Sequence, residues 1–549
     1  MTGMRSGSKR RRRGSIPAAG GSDDDLISGL GDDVLLRVLE LLRDARYAAR
    51  TGALSRRWRG LWTRVPSLRF RFSSTTMEFD RAGRRWRPRP HGADGTRRFI
   101  SFVSDALARR AQAADDDSAA LEHLTISFVV YTDAVEQETS RELPQQCIQA
   151  SQGWICCAME SRVKSFVLEL SAPLRDCRRR THISGVGRGG VSRKEQQQSM
   201  MNLSELPSNQ KLETMHWNLV GASIQLPVTA VFTSLADLLL EGIEFPDDSG
   251  HLLARLLSPA CCPHLQKLQL KDLRLPSELN ELLVESSTLL ELSCVGIHNF
   301  GLAQLELKTP ILQVLRIEQG LYDCIPTLTI CSPKLEEITF FEYQPKHINV
   351  VDGELSCVRR LKVHLYSHAI DEDYNYYNNN AIICLLRCCT SVTHLEVSLL
   401  ITKAEYGVVA DIIKGRIPHL PHLISLNVHI SVLESHYLEL HSFGVGLAAG
   451  ILTQFSNLKY LRVHRFNDYV KKHESFCCDH LDYWKSHEMY LADIQEVEFS
   501  GLVGTDCEGW FMQRVLRHAK QLEKVTLRSG GMWNCHGDTY SFYEWKRDL

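Results

Sequence analysis

The segment Leu312–Phe340 reads LQVLRIEQGLYDCIPTLTICSPKLEEITF, and each end carries the pattern L-x-x-L-x-L, in which other apolar residues can replace leucine. The two copies start 23 residues apart, and a third copy, VRRLKV, starts 23 residues later at Val358. The last three residues of each copy predict a short strand. Alternation turns the fourth and sixth residues of the copy into a core and the fifth residue out of it. We predict the fold from this repeated unit.

Fifteen such copies occur along the chain. They start at Leu121, Val163, Leu212, Leu235, Leu265, Leu289, Leu302, Leu312, Leu335, Val358, Val392, Leu423, Leu458, Ile494 and Leu522. Many spacings fall in or near the range of about 20–29 residues that is typical of leucine-rich repeats. Because one unit cannot bury its own apolar side, we expect the units to stack into a curved solenoid. An unrelated α/β domain with leucine-rich strands is the alternative.

Three segments interrupt this pattern. The copy at Leu302 breaks the spacing, and we interpret it as a loop or as the tail of the preceding unit. Residues 172–200 and 371–380 lack apolar anchors, so we predict surface loops there. Later spacings of 28 to 36 residues indicate insertions in the later units.

The overall composition is that of an ordinary globular protein. The 549 residues are 44% hydrophobic and 23% charged, with a formal net charge of -1, so no global attraction to nucleic acid or anionic membrane is expected. The 17 cysteines are too dilute for a disulfide scaffold. We find no signal-peptide pattern and no run of about 18 apolar residues, which favours a reducing compartment, nucleus or cytosol.

The first 66 residues contain a basic tail and a helical region. Residues 1–22 are predicted to be disordered, and their basic run 9–13 is either a nuclear-import signal or a solvated tail. Residues 34–42 read VLLRVLELL, which is apolar nearly all round a helix. We expect further helices near Ala45–Thr51 and around Trp58–Val65. So small a unit needs a neighbour inside or outside the chain.

Sequence motifs give no support for catalysis. G-x-S-x-G, P-loop and H-E-x-x-H patterns are all missing from the sequence. The best metal candidate, "HESFCCDHLDYWKSH" at 473–487, matches no established finger spacing, so we predict no metal site and no cofactor. Four pairs of adjacent cysteines are interpreted as structural thiols. The region 73–98, rich in Arg and Pro, is interpreted as a linker, with a nucleic-acid patch around Trp86 as the weaker alternative.

Two stretches carry a family resemblance. "ISGLGDDVLLRVLELL" from Ile27 and "ARTGALSRRWRGLWTRVPSLRF" from Ala49 resemble an F-box of the plant type that precedes leucine-rich repeats. "IQEVEFSGLVGTDCEGWFMQRVLRHAKQLEKVTL" from Ile494 resembles the FBD region of the same plant family, with Phe511, Val515 and Ala519 on the buried face of its helix. The predicted fold class is therefore α/β, with a three-helix F-box followed by the solenoid.

The resemblance also implies a domain order. We predict a disordered basic tail at 1–22, an F-box at 23–70, an Arg/Pro-rich linker and helix at 71–120, the solenoid at 121–490 and an FBD-like region at 491–549. An F-box docks on a Skp-type adaptor, which holds a cullin scaffold and a ubiquitin-conjugating enzyme. By analogy the adaptor face comprises Leu30, Val34, Leu35, Val38, Leu39, Leu54 and Trp58. Where the family usually has proline, this chain has Gly31, which leaves the helix start flexible. A mere cap on the solenoid is the alternative for this region.

The fifth position of each repeat predicts a docking surface. These positions are Gln269, Ser293, Glu306, Arg316, Thr339, Lys362, Glu396, Asn427, Arg462, Glu498 and Thr526. Among them Arg316, Lys362, Glu396, Arg462 and Glu498 are our candidates for binding a target protein, because mixed charge suits a protein partner better than nucleic acid. We therefore expect a non-catalytic, target-recognising subunit of an SCF-type ubiquitin ligase in the nucleus, the cytoplasm or both, without nucleic-acid or membrane partners. A repeat scaffold without a ligase role is the alternative.

Overall fold

The computed structural model describes residues 29–42, 44–73, 75–80, 85–90, 92–112, 120–129, 142–171, 200–298, 301–318, 325–341, 343, 345–351, 353–366, 379–401, 417–432, 451–452, 454–466, 489, 491–502, 506–529 and 542–546. They contain eight α-helices and a large, mostly parallel sheet of 17 strands, which confirms the mixed α/β class. The basic tail 1–22, the metal candidate at 473–487 and nearly all of both predicted loops lie outside these residues.

Three short helices open the described chain, where the helical pattern predicts them. They are α1 Asp32–Glu40, α2 Ala45–Thr51 and α3 Arg56–Leu61, and a 3₁₀ turn, Trp62–Arg64, continues the last. Their shared core holds Leu35, Leu39, Ala48, Leu61 and Trp62, all buried. The packing therefore covers one side of α1 from within the chain.

The strands are short and regularly spaced along the chain. In chain order they are β1 Ser67–Ser73, β2 Thr75–Asp80, β3 Arg85–Pro90, β4 His123–Val129, β5 Ser165–Ser171, β6 Met200–Asn202, β7 Thr214–Gln225, β8 Asp237–Glu244, β9 Lys267–Lys271, β10 Glu281–Glu285, β11 Glu291–Val295, β12 Gln304–Lys308, β13 Val314–Glu318, β14 Thr327–Cys331, β15 Glu337–Phe341, β16 His347–Val350, β17 Arg360–Tyr366, β18 His394–Ile401, β19 Ser425–Val432, β20 Tyr460–Phe466, β21 Glu496–Leu502, β22 Lys524–Ser529 and β23 Phe542–Lys546.

The main sheet follows the order of the chain. β1 pairs with β4, and the pairing continues through β5, β7, β8, β9, β11, β13, β15 and β17 to β22, always in parallel. β6 lies beside the end of β7, and β23 closes the sheet as an antiparallel strand. Strand residues alternate as predicted. In β13, for example, Leu315 and Ile317 are buried and Arg316 between them is exposed.

A second parallel sheet consists of β10, β12, β14 and β16. Each of these strands lies in the connection between two strands of the main sheet, so the region from β9 to β17 supplies one strand to each sheet in turn. The copy of the repeat pattern at Leu302 is therefore strand β12, and our interpretation of it as a loop or tail is wrong. The pattern L-x-x-L-x-L fits any half-buried strand, so it does not distinguish the two sheets.

Five longer or later helices complete the described structure: α4 Gly92–Gln112, α5 Glu142–Glu160, α6 Gly250–Leu256, α7 Asn380–Cys388 and α8 Asp506–His518. α6 contacts β10 and α7 contacts β16, so a helix stands next to each outer strand of the second sheet. None of the helices in the described ranges has the length and apolar character needed to span a membrane.

The region expected to be a linker contains regular structure. β2 pairs with β3 in antiparallel register, from Thr75 opposite Pro90 to Asp80 opposite Arg85, and α4 follows directly. An isolated two-stranded pair tolerates the prolines of β3, because a strand with a free edge needs fewer backbone donors. The linker interpretation of 73–98 is thus corrected for these strands and for the first turns of α4.

The FBD-like tail extends the main sheet. β21 and β22 continue the parallel pairing, and Phe511 and Val515 of α8 are buried, as predicted, as is Ala519 directly after the end of the helix. Glu508 in the first turn of α8 forms a buried ion pair with Arg465 of β20. Gly501 has a φ of +73°, and a Cβ there would lie 1.9 Å from the Arg465 carbonyl oxygen, so only glycine fits this close approach. These contacts fix the tail to the preceding strands.

Candidate interaction surfaces

The first candidate surface is the outer side of α1. Leu30, Val34, Val38 and Leu41 follow one another at spacings of three or four residues and are exposed, and Leu54 is exposed as well. We call these five residues the apolar helix face. Exposed aliphatic patches of this kind mark sites of protein contact.

The structure divides the predicted adaptor-face residues into two groups. Leu35 is 1% exposed, whereas its neighbour Val34 is 48% exposed. Leu39 is as buried as Leu35, so both leucines belong to the internal core, and their assignment to an outward face is corrected. Trp58 is half-buried and packs against the same core. Of the seven predicted residues, Leu30, Val34, Val38 and Leu54 lie on the outside.

Sequence reasoning missed Leu41 as a member of this surface. The sequence shows two stripes on this helix, Val34, Val38 and Leu41 on one and Leu35 and Leu39 on the other. Both stripes are apolar, and only the packing of α3 and of Trp62 determines which one is covered.

Ion pairs at the start of α1 hold this helix against α3. Arg57 donates from Nη2 to Oδ1 of Asp32 at 2.7 Å, and Arg64 Nη1 lies 3.3 Å from Oδ2 of the same carboxylate. The hydrogen bond from Arg57 holds the pKa of Asp32 below its ordinary value. The two helices therefore keep the apolar helix face in a defined orientation.

The second candidate surface is the outward side of the main sheet. The predicted fifth positions form one continuous row of paired residues across the strands. The row runs through Gln269, Ser293, Arg316, Thr339, Lys362, Glu396, Asn427, Arg462, Glu498 and Thr526. Glu306 is the exception, because it lies in β12 of the second sheet, where its carboxylate pairs with Lys308. Its place on the same surface is corrected accordingly.

The five predicted target-binding residues take part in ion pairs along this row. Three carboxylates each bind two cationic or histidine side chains, one on each neighbouring strand. We call them the charge triads: Arg316–Glu337–Arg360, Lys362–Glu396–His429 and Arg462–Glu498–Arg528. Sequence reasoning did not predict these pairs.

The first triad is centred on Glu337 of β15. Arg360 Nη2 lies 2.8 Å from Oε2, and Arg316 Nη2 lies 3.2 Å from Oε1. Partial burial alone would raise the pKa of Glu337, but the hydrogen bonds from Arg360 and Arg316 outweigh it, so the pKa is lowered. The carboxylate is thus charged and satisfied on both oxygens.

The second triad is centred on Glu396 of β18. Its Oε1 accepts from Lys362 Nζ at 2.6 Å and lies 3.3 Å from His429 Nε2. The hydrogen bond from His429, with that from Lys362, lowers the pKa of Glu396 to about 2. The His429 ring stands edge to face with His464, their centroids 5.6 Å apart, and His464 Nδ1 is 2.6 Å from the Ser500 hydroxyl.

The third triad is centred on Glu498 of β21. Arg462 Nε lies 3.3 Å from Oε2 and Arg528 Nε lies 3.3 Å from Oε1. Each triad therefore joins three strands at their outward surface. A charged side chain that is already paired in this way keeps a fixed position toward solvent, which suits recognition by shape and charge.

Metal ligation and thiol chemistry have little basis in the part of the chain that the structure describes. No group of three or more His, Cys, Asp or Glu side chains there could hold a metal ion. Cys261 and Cys262 are both buried, and burial raises the pKa of the Cys147, Cys294 and Cys389 thiols to about 12. The thiols of Cys147, Cys294 and Cys389 are therefore protonated at neutral pH.

An exposed apolar helix face followed by a long parallel sheet with a charged outer row is an arrangement suited to binding other proteins. Two proteins of Arabidopsis thaliana, both named FBD-associated F-box proteins, are similar to the chain. No family model matches it.

The two similarities differ in extent. One relative is 43% identical over 60 residues, which is 11% of this chain and only 15% of that protein's length. The other is 24% identical over 506 residues, which is 92% of each chain. The long match supports the resemblance to FBD-associated F-box proteins, since it spans nearly the whole chain.

Proposed function

We propose that this protein is the target-recognising subunit of an SCF-type ubiquitin ligase. The observation that carries the proposal is the apolar helix face, which lies on a three-helix unit at the start of a chain that is similar to F-box proteins. In this role the unit is an F-box, and the apolar helix face binds a Skp-type adaptor that in turn holds a cullin scaffold.

The energetics of the apolar helix face suit such a complex. Burying one large aliphatic side chain contributes about 1.5–3 kcal/mol before the costs of association are subtracted. Five such residues on two neighbouring segments supply enough apolar surface for a stable contact. Leu35 and Leu39 support the face from beneath, because they anchor α1 to α3 and to Trp62.

The remainder of the chain serves the target in this proposal. We infer that the main sheet is the inner layer of a leucine-rich-repeat solenoid, because its strands follow chain order at repeat spacing and in register. The charge triads then lie on the surface that meets a target protein. The subunit itself supplies no catalytic group in this scheme, and it acts in the nucleus, the cytoplasm or both.

Capture of a Skp-type adaptor by the full chain tests the proposal. We expect Val34→Asp plus Val38→Asp to abolish capture, because two carboxylates would be desolvated in the contact. Val228→Asp plus Val351→Asp is the matched control, since both valines are exposed and lie outside the helices. Adaptor capture that is equal in both variants would contradict the assignment. Failure of the wild-type chain to capture any adaptor would favour a repeat scaffold without a ligase role.

A further inference from the structure

We propose that the outward row of β13–β22 binds an extended acidic segment of a partner protein, which lies across the strands and places its carboxylates on the arginines of the charge triads. The inference rests on the proposed function only in naming this partner as the target. It specifies the chemistry of the segment that the surface selects.

The first argument concerns height above the sheet. In the first triad the side chain of Arg316 is 57% exposed, whereas that of Glu337 is 18% exposed. In the third triad Arg462 is 67% exposed and Glu498 is 20% exposed. At the first and third triads a partner therefore meets guanidinium groups before carboxylates, whereas in the second triad the lysine and the glutamate are equally exposed.

The second argument concerns hydrogen-bonding capacity. A guanidinium carries five N–H donors in a rigid fork, and a single carboxylate uses at most two or three of them. The triad carboxylates already accept bonds from both neighbouring strands. An acidic partner adds contacts to the arginines without breaking a pair, whereas a basic partner meets carboxylates that already have a cation on each side.

The third argument concerns formal charge. The outward positions of β13 to β22 hold six Arg or Lys residues (the five of the triads and Lys524) and five Glu residues (the three of the triads, Glu318 and Glu496), which gives 6 − 5 = +1 with the histidines neutral. The excess is local, because the chain as a whole has a formal net charge of -1. Charge complementarity therefore favours an acidic occupant at this part of the sheet.

The spacing of the arginines defines a pattern for that occupant. Arg316 and Arg360 are two strands apart, as are Arg462 and Arg528, which corresponds to about 10 Å. An extended chain covers about 3.3 Å per residue, so carboxylates three residues apart match either pair. β17 and β20 are separated by three inter-strand spacings, or about 14 Å, which an extended peptide covers with about four residues.

The earlier strands bound the site. The same row in β4 to β9 carries Thr125, Val167, His216, Leu239 and Gln269. Two positions to either side of this row, where Arg360 and Arg528 lie on their own strands, β9 carries Lys267 and Lys271, but no outward position of β4 to β9 carries an arginine. A segment that follows arginines would therefore engage only the later strands.

The probes are labelled peptides and the protein is the full chain. The test peptide carries four glutamates, spaced three, four and three residues apart, in a background of Ser and Gly. A second peptide has the same composition with the glutamates in one block, and a third has lysine in place of glutamate. Fluorescence anisotropy at physiological salt should show the spaced peptide binding about fivefold tighter than the block peptide, and no binding of the lysine peptide.

The decisive variant is Arg316→Gln plus Arg462→Gln, which leaves Glu337 with Arg360 and Glu498 with Arg528. We expect it to weaken binding of the spaced peptide about tenfold, since two guanidinium contacts are lost. The control, Lys308→Gln plus Arg387→Gln, removes two exposed cations from other elements and should change binding less than twofold. Arg316→Lys plus Arg462→Lys keeps the charge but not the fork, and should give an intermediate loss.

Several outcomes would overturn the inference. They are equal binding of the spaced and block peptides, preference for the lysine peptide, tighter binding of a single-stranded RNA oligonucleotide, and an unchanged affinity in the Arg316→Gln plus Arg462→Gln variant. Adaptor capture by the same preparations separates the two proposals. Loss of peptide binding with intact adaptor capture would contradict only the proposal about the acidic segment. Absence of adaptor capture with intact peptide binding would contradict only the ligase role.

Discussion

The apolar helix face and the charge triads are surfaces of opposite design. On α1, aliphatic side chains remain exposed, so a partner gains free energy simply by covering them. On the sheet, each triad carboxylate already has a partner on both neighbouring strands, so a second protein gains mainly through the geometry of the arginines. We therefore expect the contact at the apolar helix face to be tight and insensitive to salt. The contact at the charge triads should be selective and weakened by salt.

The largest expected effect separates the two sides of α1. Leu35→Asp plus Leu39→Asp places two charges in the core that α1 shares with α3 and Trp62, and should destabilise the three-helix unit by several kcal/mol. Amide hydrogen exchange over residues 32–64 would report this loss as a collapse of protection.

The matched variant shifts both substitutions by one position. Val34→Asp plus Val38→Asp places the same charges on the exposed stripe, and exchange protection should stay close to that of the wild type. If both variants lost protection equally, the division of α1 into a covered and an exposed stripe would be wrong.

The next effect concerns two arginines on one strand. Arg465 points inward from β20 and pairs with Glu508, and both side chains are buried. Arg465→Met leaves a buried carboxylate without its ion-pair partner and should lower the free energy of unfolding by about 3–5 kcal/mol. Chemical denaturation monitored by circular dichroism would measure the change.

Arg462 on the same strand is the control, because it points outward to Glu498. Arg462→Met should cost only about 0–1 kcal/mol, since an exposed pair contributes little. The double variant Arg465→Met plus Glu508→Leu should recover much of the loss, because it removes both buried charges. A cost for Arg465→Met no larger than that for Arg462→Met would show that the pair does not fix α8.

These differences also show how far sequence reasoning reaches. The repeat pattern correctly predicted the outward positions of the main sheet from β9 to β21, because alternation along a strand follows directly from the position of the buried leucines. Thr526 of β22 is the exception, since it continues the row but is buried. The same pattern misplaced Glu306, because β12 has an equally good alternation in a different sheet. Periodicity identifies a half-buried strand but not its neighbours.

The charge triads were beyond prediction for a related reason. Glu337 is the first residue of β15, two positions before the row that the repeat pattern predicts, and it reaches diagonally to Arg316. Such diagonal contacts depend on register and on side-chain direction. For α1, both stripes are apolar, so the sequence alone could not assign Leu35 and Leu39 to the core. The packing of Trp62 resolves that ambiguity.

A smaller effect is expected from acid titration of the second triad. The pKa of Glu396 is lowered to about 2 from an ordinary value of 4.5, so the ionised carboxylate stabilises the folded state above about pH 4.5, and that contribution is lost as the pH falls toward 2. Because the triad is partly exposed and screened, we expect about 1 kcal/mol. The free energy of unfolding measured between pH 5 and pH 3 should therefore fall less steeply in Glu396→Gln than in the wild type.

Glu306→Gln provides the comparison for this titration. Glu306 also pairs with a lysine, but its pair lies on the second sheet and involves a single cation. Its substitution controls for the removal of one carboxylate from a surface ion pair without the loss of a triad. Equal slopes for wild type and Glu396→Gln would indicate that the triad does not hold its carboxylate in the charged form.

The smallest effect returns to the start of α1. Gly31 has a φ of -66° and a ψ of 157°, which proline also adopts, and a Cβ at this position would meet no atom within 4 Å. Gly31→Pro should therefore restrict the unfolded chain more than the folded one and raise stability by about 0.4–1 kcal/mol. Because the side chains of the apolar helix face are unchanged, adaptor affinity should rise only as far as the helix start is better ordered. Thermal unfolding followed over the three helices would detect the gain, and Gly31→Ala should give a smaller one. A loss of stability with proline and not with alanine would contradict this expectation and would mean that the backbone N–H of residue 31, which every residue except proline supplies, is needed.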